Sequence, residues 1–169
     1  MEQTPVAGRR FGLTADTHDD LVDWPTILAR LKAAWGDVDA VFHCGDLTSA
    51  EALKGCAAVA PTYATRSEGD PPPAPPMLSD GPRVLVAGGL RVGLTFNLPE
   101  TALSAEGSAA LFGGPVAACV FGGTHEARLD EIDGVLFVNP GSPSLAKTRT
   151  AAILTIRDGR PLTEIVEIA

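Results

Sequence analysis

Two short apolar runs near the start of the chain each end on polar residues. Phe11 to Ala15 leads into Asp16, and Ala40 to Phe42 leads to Gly45-Asp46; runs of this length bounded by turn residues predict buried strands. Between them Leu21, Trp24, Ile27, Leu28, Leu31 and Trp35 recur at spacings of three and four, with Asp19, Asp20 and Asp23 in the opening turn. That spacing predicts an amphipathic helix and makes the region a strand–helix–strand unit. A second helix is predicted from Thr48 or Ser49, with Ser49 as its cap, through Glu51, Leu53 and Cys56 towards Pro61. A strand over Thr62 to Thr65 follows.

Half of the 14 prolines then fall between Pro61 and Pro82, most of them in Pro71-Pro72-Pro73-Ala74-Pro75-Pro76. Such a run cannot be helix or central strand, so it predicts an extended surface loop. Its composition also suits a ligand for a Pro-binding module, but a stiff loop explains it with fewer assumptions. From Arg83 onward the pattern becomes a series of β segments: Arg83–Ala87, Arg91–Phe96, Ala117–Phe121, Val135–Val138, Ala151–Ile156 and Glu164–Ile168. Gly88-Gly89 and Asp158-Gly159 read as hairpin turns, and Glu100 to Phe112 as the helix of this half. Helix-linked strands followed by a strand-rich half predict a layered α/β sandwich with a mixed sheet, formed by residues 1–169 as one domain.

Composition narrows the function. The chain of 169 residues carries 13 Lys plus Arg against 21 Asp plus Glu, a net charge of −8. An acidic excess opposes binding to a phosphate backbone, so no nucleic-acid partner is expected. The first residues, Met1-Glu2-Gln3-Thr4-Pro5, lack the apolar segment of a signal peptide, which predicts a cytoplasmic protein. The uncharged run Gly107 to Thr124 is broken by Gly113-Gly114-Pro115, so no membrane association is expected. Cys44, Cys56 and Cys119 form no Cys-x-x-Cys pair and read as reduced core residues.

Candidate chemistry gathers where loops leave the C-terminal ends of strands, the usual ligand edge of such sheets. Asp16-Thr17-His18 follows the first strand; its i, i+2 spacing lets a carboxylate and an imidazole converge on one ion. His43-Cys44-Gly45-Asp46 follows the second strand, with Gly45 permitting a turn that aims Asp46 at the same edge. Gly122-Gly123-Thr124-His125 supplies another imidazole, and Asn139-Pro140-Gly141-Ser142 a rigid turn. Asp16, His18, Asp46 and His125 together offer two nitrogen and two oxygen ligands, a mixture suited to Mn, Fe, Zn or Co rather than calcium. Each has a plainer reading: Asp16 and Asp46 as acids at helix N-termini, and His125 as a hydrogen-bonded loop residue. For His43 a structural, hydrogen-bonding role is favoured over ligation.

These four segments, in order and approximate spacing, resemble the calcineurin-like metallophosphoesterase superfamily, in particular its small bacterial and archaeal phosphodiesterases. Thr14-Ala15-Asp16-Thr17-His18 is similar to the family's first motif, Gly45-Asp46 to its Gly-Asp motif, Gly122 to His125 to its Gly-His-x-His motif, and Asn139 to Ser142 to its closing turn. The resemblance implies a four-layer α/β sandwich holding two divalent metals bridged by one aspartate, here Asp46, that activate water for attack on a phosphate ester. The first site, Asp16, His18, Asp46 and His125, is complete. The second departs from the family: Ser67-Glu68-Gly69-Asp70 stands in place of Gly-Asn-x-Asp, Phe96-Asn97 in place of a strand-end His-Gly, and Gly123 in place of the first histidine of Gly-His-x-His. Glu68 is the remaining candidate for a second ion, with Asn97 behind it.

Two classes of function follow. One is a metal-dependent phosphoesterase, phosphodiesterase-like, acting on a small phosphate ester with one or two metals. The other is an inactive binding or scaffold protein with a protein partner, as the retromer subunit of the same fold is. Phosphoryl charge needs two positive centres or a metal plus Lys or Arg, and Arg66 is the nearest arginine in sequence.

Overall fold

The computed structural model describes residues 1–169. Its strands are β1 (Gln3–Val6), β2 (Arg10–Thr14), β3 (Ala40–His43), β4 (Thr62–Thr65), β5 (Leu78–Ser79), β6 (Arg83–Ala87), β7 (Leu90–Thr95), β8 (Ala118–Phe121), β9 (Ala127–Ile132), β10 (Val135–Pro140), β11 (Thr150–Arg157) and β12 (Arg160–Glu167). Its helices are α1 (Trp24–Trp35), α2 (Ala50–Val59) and α3 (Ala105–Phe112). One mixed sheet runs β1-β6-β7-β8-β10-β9 and the other β12-β11-β2-β3-β4-β5. In the second sheet β2, β3, β4 and β5 are parallel, so their C-terminal loops leave from one edge.

Three apolar clusters separate four layers. The largest lies between the sheets and includes Phe11, Leu13, Phe42, Leu85, Leu94, Val120 and Leu154. A second joins α1 and α2 to their sheet through Trp24, Leu31, Trp35, Val41 and Cys56. A third packs Phe112 of α3 against Val84, Cys119 and Phe137. Two glycines make the closest helix-to-sheet approaches possible. A methyl group at Gly12 would lie 2.6 Å from the Trp35 ring, and one at Gly93 would lie 2.5 Å from the Phe112 ring. The helices therefore seat their largest side chains on flat spots of the sheets.

The hairpins form where expected. Gly88-Gly89 joins β6 to β7 and Asp158-Gly159 joins β11 to β12, with both residues of each turn at positive φ. This is the two-residue turn whose twist matches the strands. Ser49 caps α2, its hydroxyl accepting from the Glu51 amide at 3.2 Å. The cysteines are buried and unpaired.

Several boundaries differ from expectation. Helix α1 begins at Trp24 with Pro25 in its first turn, and Leu21 lies outside it, 66% exposed. Asp19 serves α2 instead: its carboxylate accepts from the amides of Ser49 and Ala52, both at 2.9 Å, and from the hydroxyls of Thr48 and Ser49. An acid there offsets the unpaired amides and positive end of α2. The segment Glu100 to Phe112 breaks into a 3-10 turn, Glu100–Ala102, and α3, because Ser104 caps a new start by accepting from the Gly107 amide at 2.9 Å. The proline-rich loop is irregular but closes on β5, a short strand paired with β4. Strands β1 and β9 had no apolar alternation to mark them. β1 pairs with β6 at one edge of its sheet, and β9 is the mostly exposed strand at the other.

Candidate metal centre

The parallel register of β2 and β3, with Thr14 opposite His43, sets the loops after them side by side. Their backbones stay bonded beyond the strands: Asp16 N donates to Gly45 O at 2.9 Å, His18 N to Asp46 O at 3.0 Å, and Asp19 N to Leu47 O at 3.2 Å. The other sheet delivers its own strand ends to the same place. After β8, the Gly123 amide donates to both carboxylate oxygens of Asp16, at 3.1 and 3.0 Å. After β10, the Ser142 hydroxyl donates to Asp16 O at 2.8 Å and the Ser144 hydroxyl to Thr17 O at 2.7 Å.

Asp16, His18, Asp46 and His125 thereby converge, with one ligand atom of each lying within 4.8 Å of all the others. His18 Nε2 is 3.3 Å from His125 Nε2 and 3.3 Å from Asp46 Oδ2. All four residues sit in the left-handed region, at φ of 53°, 43°, 54° and 63°. That conformation costs an L residue about 1–2 kcal/mol, and clustered strain of this kind marks sites where side-chain direction outweighs backbone comfort.

The electrostatics agree with a cation's place. Asp16 is fully buried, and loss of solvation raises its pKa from 3.8 to about 7, with the Asp46 charge adding to the shift and the Gly123 amide opposing it. Two carboxylates and two imidazoles facing one point leave negative charge that a divalent ion would neutralise. The donor set, nitrogen and oxygen in equal number, fits a borderline transition metal.

His43 stands apart from the cluster and is fully buried. Its Nδ1 accepts from the Gly45 amide at 3.2 Å, so its Nε2–H donates to the Thr17 hydroxyl at 3.0 Å. Burial lowers its pKa to about 4, so it stays neutral and ties the two ligand loops together. This is the structural role its position suggested.

The second-ion candidates are not brought together. Glu68 is exposed and lies outside the converging group. Ser67, next to it, donates to Asp46 Oδ1 at 2.6 Å, while Ser67 N donates to Asp70 Oδ2 at 2.9 Å. Arg66 is spent on its own loop, donating to Pro71 O at 2.8 Å, Asp70 O at 2.9 Å and Asp80 Oδ1 at 3.1 Å. It holds the loop closed and offers no free cation. A methyl group at Gly45 would lie 2.8 Å from the Phe96 ring, and one at Gly123 would lie 2.3 Å from Asn97 Oδ1. The Phe96 ring thus packs on Gly45 and the Asn97 carboxamide on Gly123, and an apolar ring offers no ligand. Neither Glu68 nor the Phe96 ring adds a donor to the four that converge.

Sequence reasoning missed Ser67 and Ser144 as supports of the cluster. Ser67 had one available signal, the Ser-x-x-Asp spacing to Asp70 that supports a local side-chain-to-amide bond.

A comparison with curated proteins finds no similar sequence. The solved structures are informative about fold. An archaeal phosphodiesterase is 21% identical, with a TM-score of 0.70 over 93% of this chain and 99% of that one. A predicted phosphoesterase from Streptococcus pneumoniae is 20% identical, with a TM-score of 0.67 over 96% and 91%. Vps29 from Entamoeba histolytica, complexed with Zn, is 18% identical, with a TM-score of 0.64 over 94% and 98%. A family model, the calcineurin-like phosphoesterase superfamily domain, matches residues 10–159. That span takes in β2 and every strand end that builds the cluster, and the chain belongs to the calcineurin-like phosphoesterase superfamily.

Proposed function

We propose that the protein is a phosphodiesterase-like hydrolase of a small phosphate ester, working with one divalent transition ion held by Asp16, His18, Asp46 and His125. The convergence of these four donors in strained conformations carries the reading. Mn, Fe, Zn and Co all suit the donor set. When bound, such an ion supplies Lewis acidity towards water and towards phosphoryl oxygen.

The chain's own residues prepare that chemistry. Gly123 N orients the Asp16 carboxylate, and Ser142 and Ser144 fix the peptide that carries it. Ser67 occupies Asp46 Oδ1 and leaves Oδ2 facing His18. His43, neutral and doubly bonded, holds the first two loops in register. In the reaction one water adds to phosphorus, the ester P–O bond breaks, and the alcohol leaves with a proton. Buried, unpaired cysteines support a reducing, cytoplasmic setting. No helix is long and apolar enough to cross a membrane.

The test is hydrolysis of bis(p-nitrophenyl) phosphate with added Mn, comparing wild type with His18→Ala and Asp46→Asn. Turnover that both variants abolish supports the reading, and equal residual rates in all three contradict it. The likeness to Vps29 favours a second reading, a scaffold for a protein partner, in which the wild type shows no turnover.

A further inference from the structure

One ion leaves part of a phosphoryl group's charge unbalanced, so a second positive centre must come from the chain. Three arginines are committed elsewhere, and Arg149, on the loop of Lys147, lines a separate hollow with Glu167, Ile168 and Ala169. Arg66 braces its own loop, Arg83 lies over the Tyr63 ring and donates to Thr4 and Ala64 O, and Arg91 donates to Phe112 O and Pro115 O.

Beside the cluster lies a cleft of about 450 Å³, lined by the segment Thr124, His125 and Glu126 and by the segment that carries Leu145, Lys147 and Thr148. It thus opens directly on a proposed metal ligand. The Thr124 hydroxyl is engaged by the Asn139 side chain at 3.0 Å. Lys147 is exposed and makes neither an ion pair nor a hydrogen bond, and Glu126, which also lines the cleft, forms no ion pair with it.

The loop that carries Lys147 is anchored to the cluster itself. Thr150 N donates to Ser142 O at 3.1 Å and Leu145 N to Ser142 Oγ at 3.0 Å, while the hydroxyls of Ser142 and Ser144 hold the backbone of Asp16 and Thr17. The same two serines therefore position a metal ligand and the base of a cationic loop. A lysine here is a flexible point charge with three donors and no competing partner, suited to a phosphate oxygen.

We propose that Lys147 is a substrate-binding residue whose ammonium receives a non-bridging oxygen of the phosphate ester in the cleft beside His125. The inference rests on the phosphoesterase reading of the cluster, and it makes the site a metal-plus-lysine clamp.

The probe is inorganic phosphate, titrated calorimetrically into the Mn-loaded and the metal-free protein, for wild type, Lys147→Ala, Lys147→Arg and, as a control remote from the cleft, Lys54→Ala. Lys147→Ala weakens phosphate binding by about tenfold or more. It leaves Mn affinity and thermal stability unchanged, because the side chain has no partner in the fold. Lys147→Arg stays within about threefold of wild type, Lys54→Ala matches it, and added salt weakens wild type more than Lys147→Ala. Equal phosphate affinity in wild type and Lys147→Ala, or no phosphate binding by wild type, overturns the proposal. Failure to take up Mn, or to hydrolyse the diester, instead strikes the phosphoesterase reading; a Lys147-dependent difference in phosphate affinity would stand separately in the metal-free arm.

Discussion

The Ser67 hydroxyl donates to Asp46 Oδ1 at 2.6 Å and accepts from the Asp46 backbone amide at 3.2 Å. One side chain thus fixes both the carboxylate and the peptide of a central residue of the cluster. With Oδ1 engaged, Asp46 presents Oδ2 towards His18 and not a pair of free oxygens. Ser67→Ala should weaken Mn affinity by about tenfold, as loss of a bond that orients a ligand does. It should also cost about 1 kcal/mol of stability, the usual worth of one hydrogen bond at a partly exposed oxygen. Calorimetric Mn titration and urea denaturation measure the two effects.

Asp16 and His43 oppose each other in the pH dependence of the metal-free protein. Burial raises Asp16 from 3.8 to about 7, so the folded state holds a proton that the unfolded chain has released, and this contribution to stability is lost as pH rises from about 4 to 7. Burial lowers His43 from 6.5 to about 4, so the unfolded chain takes up a proton that the folded state refuses, and stability is lost as pH falls through the same interval. Relative to wild type, Asp16→Asn should therefore lose stability more steeply on acidification, and His43→Gln more steeply on alkalinisation. Urea denaturation at pH 4 to 7 in the presence of a chelator reads both slopes, and identical slopes in all three proteins would refute the assignment. Metal uptake should also weaken below pH 7, where Asp16 must first give up its proton.

Gly123 and Asn97 are matched across the site. Gly123 adopts φ 91°, and any side chain there would meet Asn97 Oδ1. Gly123→Ala should cost about 2 kcal/mol or more, combining left-handed strain with the clash. In a double-mutant cycle, Asn97→Gly should recover part of that loss, with a coupling of about 0.5–3 kcal/mol, while the strain from φ persists. Additivity of the two substitutions would contradict the packing.

The convergence of Asp16, His18, Asp46 and His125 was legible because each follows a strand whose apolar run is plain in the sequence. Their left-handed backbones were not legible; no glycine marks Asp16, His18, Asp46 or His125. Asp19 misled because an acid before an apolar helix looks like that helix's own first turn, yet it reaches across to cap α2. Strand β9 escaped because an exposed edge strand needs no apolar alternation; its Arg128, Asp130 and Glu131 are held by pairing with β10. The departures at Phe96, Asn97 and Gly123 could be seen singly, but only the fold shows that the ring packs on Gly45 and the carboxamide on Gly123.

Mn stoichiometry distinguishes a single ion on Asp16, His18, Asp46 and His125 from any other occupancy. Elemental analysis and calorimetric titration of the purified protein should give one equivalent, lost in His18→Ala and Asp46→Ala and retained in Glu68→Gln. Two equivalents in wild type, loss of uptake on changing Glu68, or uptake unaffected by His18→Ala and Asp46→Ala would contradict it.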